Sequence, residues 1–95
     1  MIIRISTEGQ YHLPSAHLDE LSEIDEKIIS AVANDRKDEY QTLFNEMLDL
    51  VRNNGKPLDP EELLESAIVL PPPDTSFEEA KKLFVGDGVV PPDLV

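Results

Sequence analysis

Two histidines, His12 and His17, are the first candidates for chemistry in this 95-residue chain, because imidazole binds metals and transfers protons near neutral pH. One falls in a predicted strand and the other near the start of a predicted helix, so their spacing does not place them on one face. A metal site would need a carboxylate beside them, and with 20 acidic residues such a neighbour arises by composition alone. We therefore expect neither a metal nor another cofactor.

Other patterns typical of catalysis are missing from the sequence. A serine, threonine or lysine nucleophile needs a base held by a third group, and no Gly-x-Ser-x-Gly or Ser-x-x-Lys segment occurs. The four glycines form no phosphate-binding loop, and there is no cysteine. The pairs Glu61–Glu62 and Glu78–Glu79 fall in the first turns of predicted helices, where the helix dipole stabilises negative charge. We therefore expect a protein without enzymatic activity.

Asp25 is a charged residue that the helical period turns toward the core. At 100° per residue it lies within the arc of the apolar residues Ile28 and Val32. A half-buried carboxylate needs hydrogen-bond donors or a cation. We expect these from Arg4 of the first strand or from the backbone of the Gly9–Gln10 turn, which makes Asp25 and Arg4 a structural polar tie. The alternative assigns Asp25 to contact with a partner.

The elements that must position these residues begin with a hairpin and two long helices. The segment "MIIRIS" predicts a strand with Ile3 and Ile5 on one face, and "QYHL" predicts its partner after the "TEGQ" turn. Apolar residues at helical spacing predict one helix from a Ser15 cap to Ala33, and a second that ends at Asn54–Gly55 with a left-handed cap. The short link makes them an antiparallel helical hairpin. The two stripes are Leu18, Leu21, Ile24, Ile28, Ile29 and Val32, then Tyr40, Leu43, Phe44, Met47, Leu48 and Val51.

The carboxyl-terminal half predicts three further elements. The segment "LDPEEL" predicts a short helix capped by Asp59. The run "AIVL" predicts a strand that Pro71 ends, and the three prolines then form a stiff extended corner before a helix capped by Thr75 or Ser76. In an alternative interpretation, the three prolines are exposed and bind an aromatic groove on a partner. The tail predicts a two-glycine turn and a short "VV" strand.

Together these elements predict an α+β fold in one domain spanning 1–95. A small, mostly antiparallel sheet, made from the amino-terminal hairpin and the "AIVL" strand, packs against the helical hairpin. The apolar runs are too short to cross a membrane, and the first residues do not resemble a signal peptide. We therefore expect a cytoplasmic protein. Exposed sheet edges are compatible with a homodimer.

The charge of the chain narrows the class of partner. Twenty acidic against eight basic residues give a formal net charge of −12. Nucleic-acid binding requires clustered Lys and Arg, and anionic lipid repels an acidic surface, so we expect neither direct nucleic-acid binding nor direct membrane insertion. A basic protein surface would be attracted. The simpler interpretation is that the charge only keeps the protein dissolved.

Four segments occur in an order that is typical of one family. They are "MIIRISTEGQYHL", "LDELSEIDEKI", "IVLPPPDTSFEEAKKLF" and "GDGVVPP", and they span nearly the whole chain. The most distinctive parts are Glu8-Gly9-Gln10-Tyr11 after an Ile-rich strand and the Leu70-Pro71-Pro72 corner with Asp74. In this pattern the chain resembles the PspAA family of small proteins associated with phage shock protein A.

The resemblance implies a non-enzymatic interaction module. Such a protein is an accessory partner of a PspA-like, ESCRT-III-like coiled-coil protein at the membrane, in an envelope stress response. Combined with the charge, this predicts binding to a basic surface of the coiled coil, which would recruit the protein to the inner face of the membrane. The predicted contact residues are the outward acids of the first long helix and the hairpin turn: Asp19, Glu23, Glu26, Glu8, Gly9, Gln10 and Tyr11.

Two other functions stay open at this point. An acidic protein can mimic nucleic acid or act as an antitoxin-like blocker of a basic cleft. A neighbouring gene for a PspA-type protein would favour the first hypothesis over this one. A small enzyme or metal-binding protein would need a concave pocket in which His12 or His17 meets converging carboxylates.

Overall fold

The chain folds into a small sheet covered on one face by helices. The computed structural model describes residues 1–62 and 64–91. Within them the elements are β1 (Ile2–Ile5), β2 (Gly9–His12), a 3₁₀ turn (Ser15–His17), α1 (Leu18–Ala33), α2 (Lys37–Asn54), β3 (Lys56–Pro57), β4 (Ile68–Leu70) and α3 (Phe77–Leu83). The strand order is β3-β2-β1-β4. β1 is antiparallel to β2 and parallel to β4, and β2 is antiparallel to β3. The α+β prediction with a mostly antiparallel sheet is confirmed.

β1 and β2 form the predicted hairpin, with Ile3 opposite Tyr11 and Ile5 opposite Gly9. Both isoleucines are fully buried, because alternate residues of the strand face the helices. Arg4, between them, points to the other face of the sheet and is exposed. Gly9 has a φ of 139°, a conformation that glycine adopts without a steric penalty.

α1 and α2 form the helical hairpin that the two apolar stripes predict. Their buried residues belong to one hydrophobic cluster with the inner face of the sheet. Ser15 does not cap α1, because Ser15–His17 form a separate 3₁₀ turn and the α-helix begins at Leu18. Gly55 ends α2 with an extended backbone and not the predicted left-handed one, because the chain continues directly into β3 (φ −88°, ψ 155°). A Cβ at Gly55 would lie 2.5 Å from the Val51 carbonyl oxygen.

The segment "LDPEEL" forms a turn over residues 59–62, and the predicted short helix is wrong for residues 58–62. The Glu62 N–H donates to the Asp59 carbonyl, and the Glu61 N–H donates to Asp59 Oδ1 at 2.9 Å. The backbone is held beside the sheet instead, since the Leu58 N–H donates to the Gln10 carbonyl next to β3. Leu63 lies outside the described residues.

β4 ends before the proline corner, as predicted. Ser76 caps α3, with the Glu79 N–H donating to Ser76 Oγ at 3.1 Å and the Ser76 N–H donating to Glu79 Oε1 at 3.2 Å. Thr75 is buried and accepts the Tyr40 hydroxyl on its carbonyl at 2.9 Å. Because the corner packs inward, its role as a structural element is favoured over its role as a partner-binding surface. Burial of the Tyr40 hydroxyl raises the pKa of Tyr40 to about 12.

α3 and the segment after it close the remaining side of the core. Phe84 is buried and meets the rings of Tyr40 and Phe44 edge-on, at centroid distances of 6.3 and 6.1 Å. The predicted "VV" strand is wrong, because the N–H groups of Val89 and Val90 donate to a side chain of α1 and not to a strand.

Candidate functional site

The outward side of α1 carries the acids that the sequence predicts as partner contacts. Asp19, Glu23 and Glu26 are all exposed, on the side of the helix opposite Leu21 and Ile28. Lys27 Nζ lies 3.8 Å from Glu23 Oε1, with both side chains more than half exposed. An exposed pair of this kind contributes little to stability. The three acids therefore form a negatively charged helix face open to a partner.

A second set of acids lines the groove between α1 and α2. We call this the seam groove; it is open to solvent, has a volume of about 260 Å³ and lies where the amino-terminal half of α1 meets the carboxyl-terminal half of α2. Ile24 and Leu50 form its floor, each 8% exposed. Its polar rim consists of Glu20, Glu46, Asp49, Asn53 and Asn54.

The acids of the seam groove are not among the contact residues predicted from the sequence. Their positions at the borders of the two apolar stripes are visible in the sequence, because Glu20 lies four residues before Ile24 and Glu46 lies four residues before Leu50. Residues at such borders flank a helix–helix contact and do not point straight out to solvent. Which border of each stripe faces the other helix is set by tertiary packing, which a helical period alone does not give.

Asp25 is buried, at 2% exposure, and ties α1 to the carboxyl-terminal segment. Its Oδ1 accepts the Val89 N–H at 3.2 Å, and its Oδ2 accepts the Val90 N–H at 3.0 Å. Burial raises the pKa of Asp25, and these two hydrogen bonds oppose the rise.

The predicted partners of Asp25 are therefore wrong. Arg4 points to the opposite face of the sheet, and the Gly9–Gln10 backbone belongs to β2, so neither reaches the side of α1 that faces residues 86–91. The expectation that Asp25 acts as a polar tie inside the fold agrees with its burial and hydrogen bonds. The tie joins α1 to the segment after α3 and not to the hairpin.

The hairpin turn is held against α2 by a small polar cluster. Arg52 donates to both carboxylate oxygens of Glu8, with Nε 2.9 Å from Oε2, and the Tyr11 hydroxyl donates to Oε2 at 2.7 Å. The Arg52 guanidinium lowers the pKa of Glu8, and the Glu8 carboxylate raises the pKa of Tyr11. Much of the negative charge of Glu8 is thus balanced within the chain.

Gln10 is buried, so the expectation of an exposed contact residue at this position is wrong. Its Nε2 donates to the Leu64 carbonyl at 2.7 Å and to Ser66 Oγ at 2.8 Å. The segment after β3 folds over the outer face of the sheet, and Gln10 holds it there. Glu8, Gly9 and Tyr11 remain candidate contact residues. They line a cleft of about 230 Å³ to which Arg4 also contributes.

The two histidines do not meet in a common site. His12 is exposed on β2, and His17 Nδ1 lies 3.7 Å from Glu20 Oε2. Within residues 1–62 and 64–91, no group of three or more His, Asp or Glu side chains is arranged to hold a metal ion. In the same part of the chain, no helix combines the length and the apolar character that crossing a membrane requires.

A search of the curated proteins found no match to this chain, and a search of the solved structures found no match either. The family model of PspAA, described as PspA-Associated protein, matches residues 1–92 of the 95-residue chain. Since this match covers nearly the whole sequence, the chain belongs to the PspAA family of PspA-associated proteins.

Proposed function

We propose that this protein is a non-enzymatic partner of a PspA-type, ESCRT-III-like coiled-coil protein at the membrane, in an envelope stress response. The observation that carries the proposal is membership in a family named for association with PspA. The surface of α1 supports it, because Asp19, Glu23 and Glu26 are exposed together on one helix face. Glu8, Gly9 and Tyr11 form a second, smaller candidate contact at the hairpin turn.

Electrostatics suggests how such a partner would act. A chain with a net charge of −12 is repelled by anionic lipid and attracted by a basic helix. A basic coiled coil that binds lipid through lysine and arginine would have part of that surface covered by this protein. Binding would then alter recruitment of the coiled coil to the membrane or its assembly there. In this proposal the protein is cytoplasmic and reaches the inner face of the membrane only through its partner.

The alternative functions gain no support from the described geometry. Neither the seam groove nor the cleft at the hairpin turn is lined by His12 or His17. The buried polar residues Asp25, Gln10 and Thr75 are engaged in hydrogen bonds within the fold. A role as a nucleic-acid mimic rests on net charge alone, whereas the family match points to a protein partner.

A pull-down with a purified PspA-type protein from the same genome tests the proposal. The full chain is tagged and the partner is captured over a salt series from about 0.05 M to 1 M, where the Debye length falls from more than 10 Å to about 3 Å. We expect capture at low salt that declines steadily as salt rises. No capture at the lowest salt would reject the partnership, and capture that does not change with salt would reject the electrostatic mechanism.

A further inference from the structure

We infer that the seam groove between α1 and α2 is where a basic helix of the partner docks. This inference rests on the proposed function and narrows it, from an acidic exterior in general to one groove and one kind of occupant. The occupant is a helical segment with lysine or arginine on one face.

The shape of the seam groove suits the side chains of such a helix. The methylene groups of a lysine or arginine can lie over Ile24 and Leu50, while the charged end reaches the rim. An α-helix places residues i, i+3 and i+4 on one side, so a single helix can present two or three basic side chains to a groove between two other helices. The outward face of α1 is convex and offers no such apolar floor.

The charge of the rim favours a cation over any other occupant. Glu20, Glu46 and Asp49 stand on the two sides of the groove, and no lysine or arginine is among the residues that line it. The carboxyl-terminal turn of α2, which carries Asn53 and Asn54, adds the negative end of a helix dipole. Carboxylates on both sides and a helix carboxyl terminus at one end all attract positive charge.

The nearby bases compensate this charge only in part. Arg52 is 3.9 Å from Asp49, but it donates both its Nε and an Nη to Glu8. Lys27 is paired with Glu23 on the outward side of α1. His17 is 3.7 Å from Glu20 and adds charge only when protonated. Glu46 is thus the rim acid with no basic group within ion-pair distance among the described residues.

A second copy of this chain fits the seam groove poorly. It would bring another molecule with a net charge of −12, and four of its eight bases, Lys27, Arg36, Arg52 and Lys81, already lie beside carboxylates. An anionic membrane surface is repelled for the same reason. A basic helix from another protein is the occupant that the charge selects.

Two charge-matched double replacements test the inference. Glu20→Lys with Glu46→Lys reverses the rim. Glu61→Lys with Glu65→Lys reverses two exposed acids that do not line the seam groove. Both change the net charge from −12 to −8, so long-range attraction falls equally in the two proteins. All four residues are exposed, and circular dichroism melting checks that each protein folds.

Affinity for the purified PspA-type protein, measured by calorimetry at about 0.1 M salt, gives the result. We expect the rim replacement to weaken the Kd by about tenfold or more and the Glu61 and Glu65 replacement by less than about threefold. If wild type binds and the two replacements weaken it equally, or the Glu61 and Glu65 replacement weakens it more, the docking site is wrong while the proposed function stands. If wild type does not bind, the proposed function itself fails. Should the reversed rim not fold, Glu20→Gln with Glu46→Gln against Glu61→Gln with Glu65→Gln answers the same question.

Discussion

Gly88 lies so close to Asp25 that a Cβ atom at position 88 would stand 2.6 Å from both carboxylate oxygens. The glycine also has a φ of 71°, in the left-handed region. This geometry lets the next two N–H groups, those of Val89 and Val90, turn toward the carboxylate. The buried acid of α1 and the glycine of the last segment therefore depend on each other.

Replacing Gly88 by alanine should destabilise the fold more than replacing Gly86. Both glycines have positive φ, so both replacements carry a backbone cost of about 1–2 kcal/mol. Only at position 88 does the added methyl also meet Asp25 and Ile29, since nothing lies within 4 Å of a Cβ at position 86. We expect Gly88→Ala to lower the free energy of unfolding by about 1–3 kcal/mol more than Gly86→Ala, as measured by urea denaturation. Equal losses would show that the close approach to Asp25 has no energetic consequence.

Removal of the Asp25 carboxylate should loosen the carboxyl-terminal segment. Asp25→Ala leaves the N–H groups of Val89 and Val90 without their acceptor, and an unsatisfied buried donor costs about 1–3 kcal/mol. We expect a loss of about 2 kcal/mol in unfolding free energy and faster hydrogen exchange at Val89 and Val90. The exposed neighbour gives the control, because Glu26→Ala should change stability by less than about 0.5 kcal/mol. Unchanged exchange at Val90 would contradict the assignment.

The titration of Asp25 should leave a signature in the pH dependence of stability. Its pKa in the fold is raised above the ordinary value of 3.8, chiefly by burial, and nearby Glu26 adds to the rise. A raised pKa means that the contribution of Asp25 is largest below 3.8 and is lost as pH rises through the folded pKa. The unfolding free energy of wild type minus that of Asp25→Asn should therefore fall as pH rises above 3.8 and through the folded pKa of Asp25.

The pKa of Glu8 is shifted in the opposite direction to that of Asp25, so the two groups affect stability in opposite ways as pH changes. Arg52 lowers the pKa of Glu8 below 4.5, so its contribution is present above 4.5 and is lost as pH falls through the folded value. Glu8 is also present in both proteins, so a difference that falls with rising pH reports on Asp25. Asp87 lines the same cleft as Asp25 and is unchanged in both proteins, so it cancels in the difference. A difference that is flat or rises with pH would contradict the buried carboxylate.

The pair of Glu8 and Arg52 should couple the hairpin to α2 by a modest amount. Both side chains are partly exposed, at 25% and 34%, so solvent screens the interaction. A double-mutant cycle with Glu8→Gln and Arg52→Met should give a coupling free energy of about 1 kcal/mol that decreases with added salt. A coupling indistinguishable from zero at low salt would show that the pair holds the turn no more firmly than separate solvated charges.

Local patterns in the sequence predicted the two long helices and the burial of Asp25, because the 3.6-residue period needs only neighbouring residues. They did not predict the donors to Asp25, which come from 64 and 65 residues further along the chain. The same limit explains Gln10, a polar residue on a strand that becomes buried only when residues 64–66 fold across the sheet.

The candidate contact residues likewise include some that local sequence predicts and some that depend on how the helices pack. Asp19, Glu23 and Glu26 are visible as an outward face from helical spacing alone. The seam groove depends on which borders of α1 and α2 meet, and so it required the packed hairpin. The proline corner was predicted from the restricted backbone of proline, but its tie to Tyr40 through Thr75 joins residues 35 positions apart.

Salt dependence of complex formation between the purified full chain and a purified PspA-type protein tests the proposed electrostatic partnership most directly. We predict a complex whose Kd weakens by about tenfold or more between roughly 0.05 M and 0.5 M salt, because the contact joins an acidic surface to a basic one. A failure to form a complex at the lowest salt, or a Kd that is the same at both ends of the series, would contradict it.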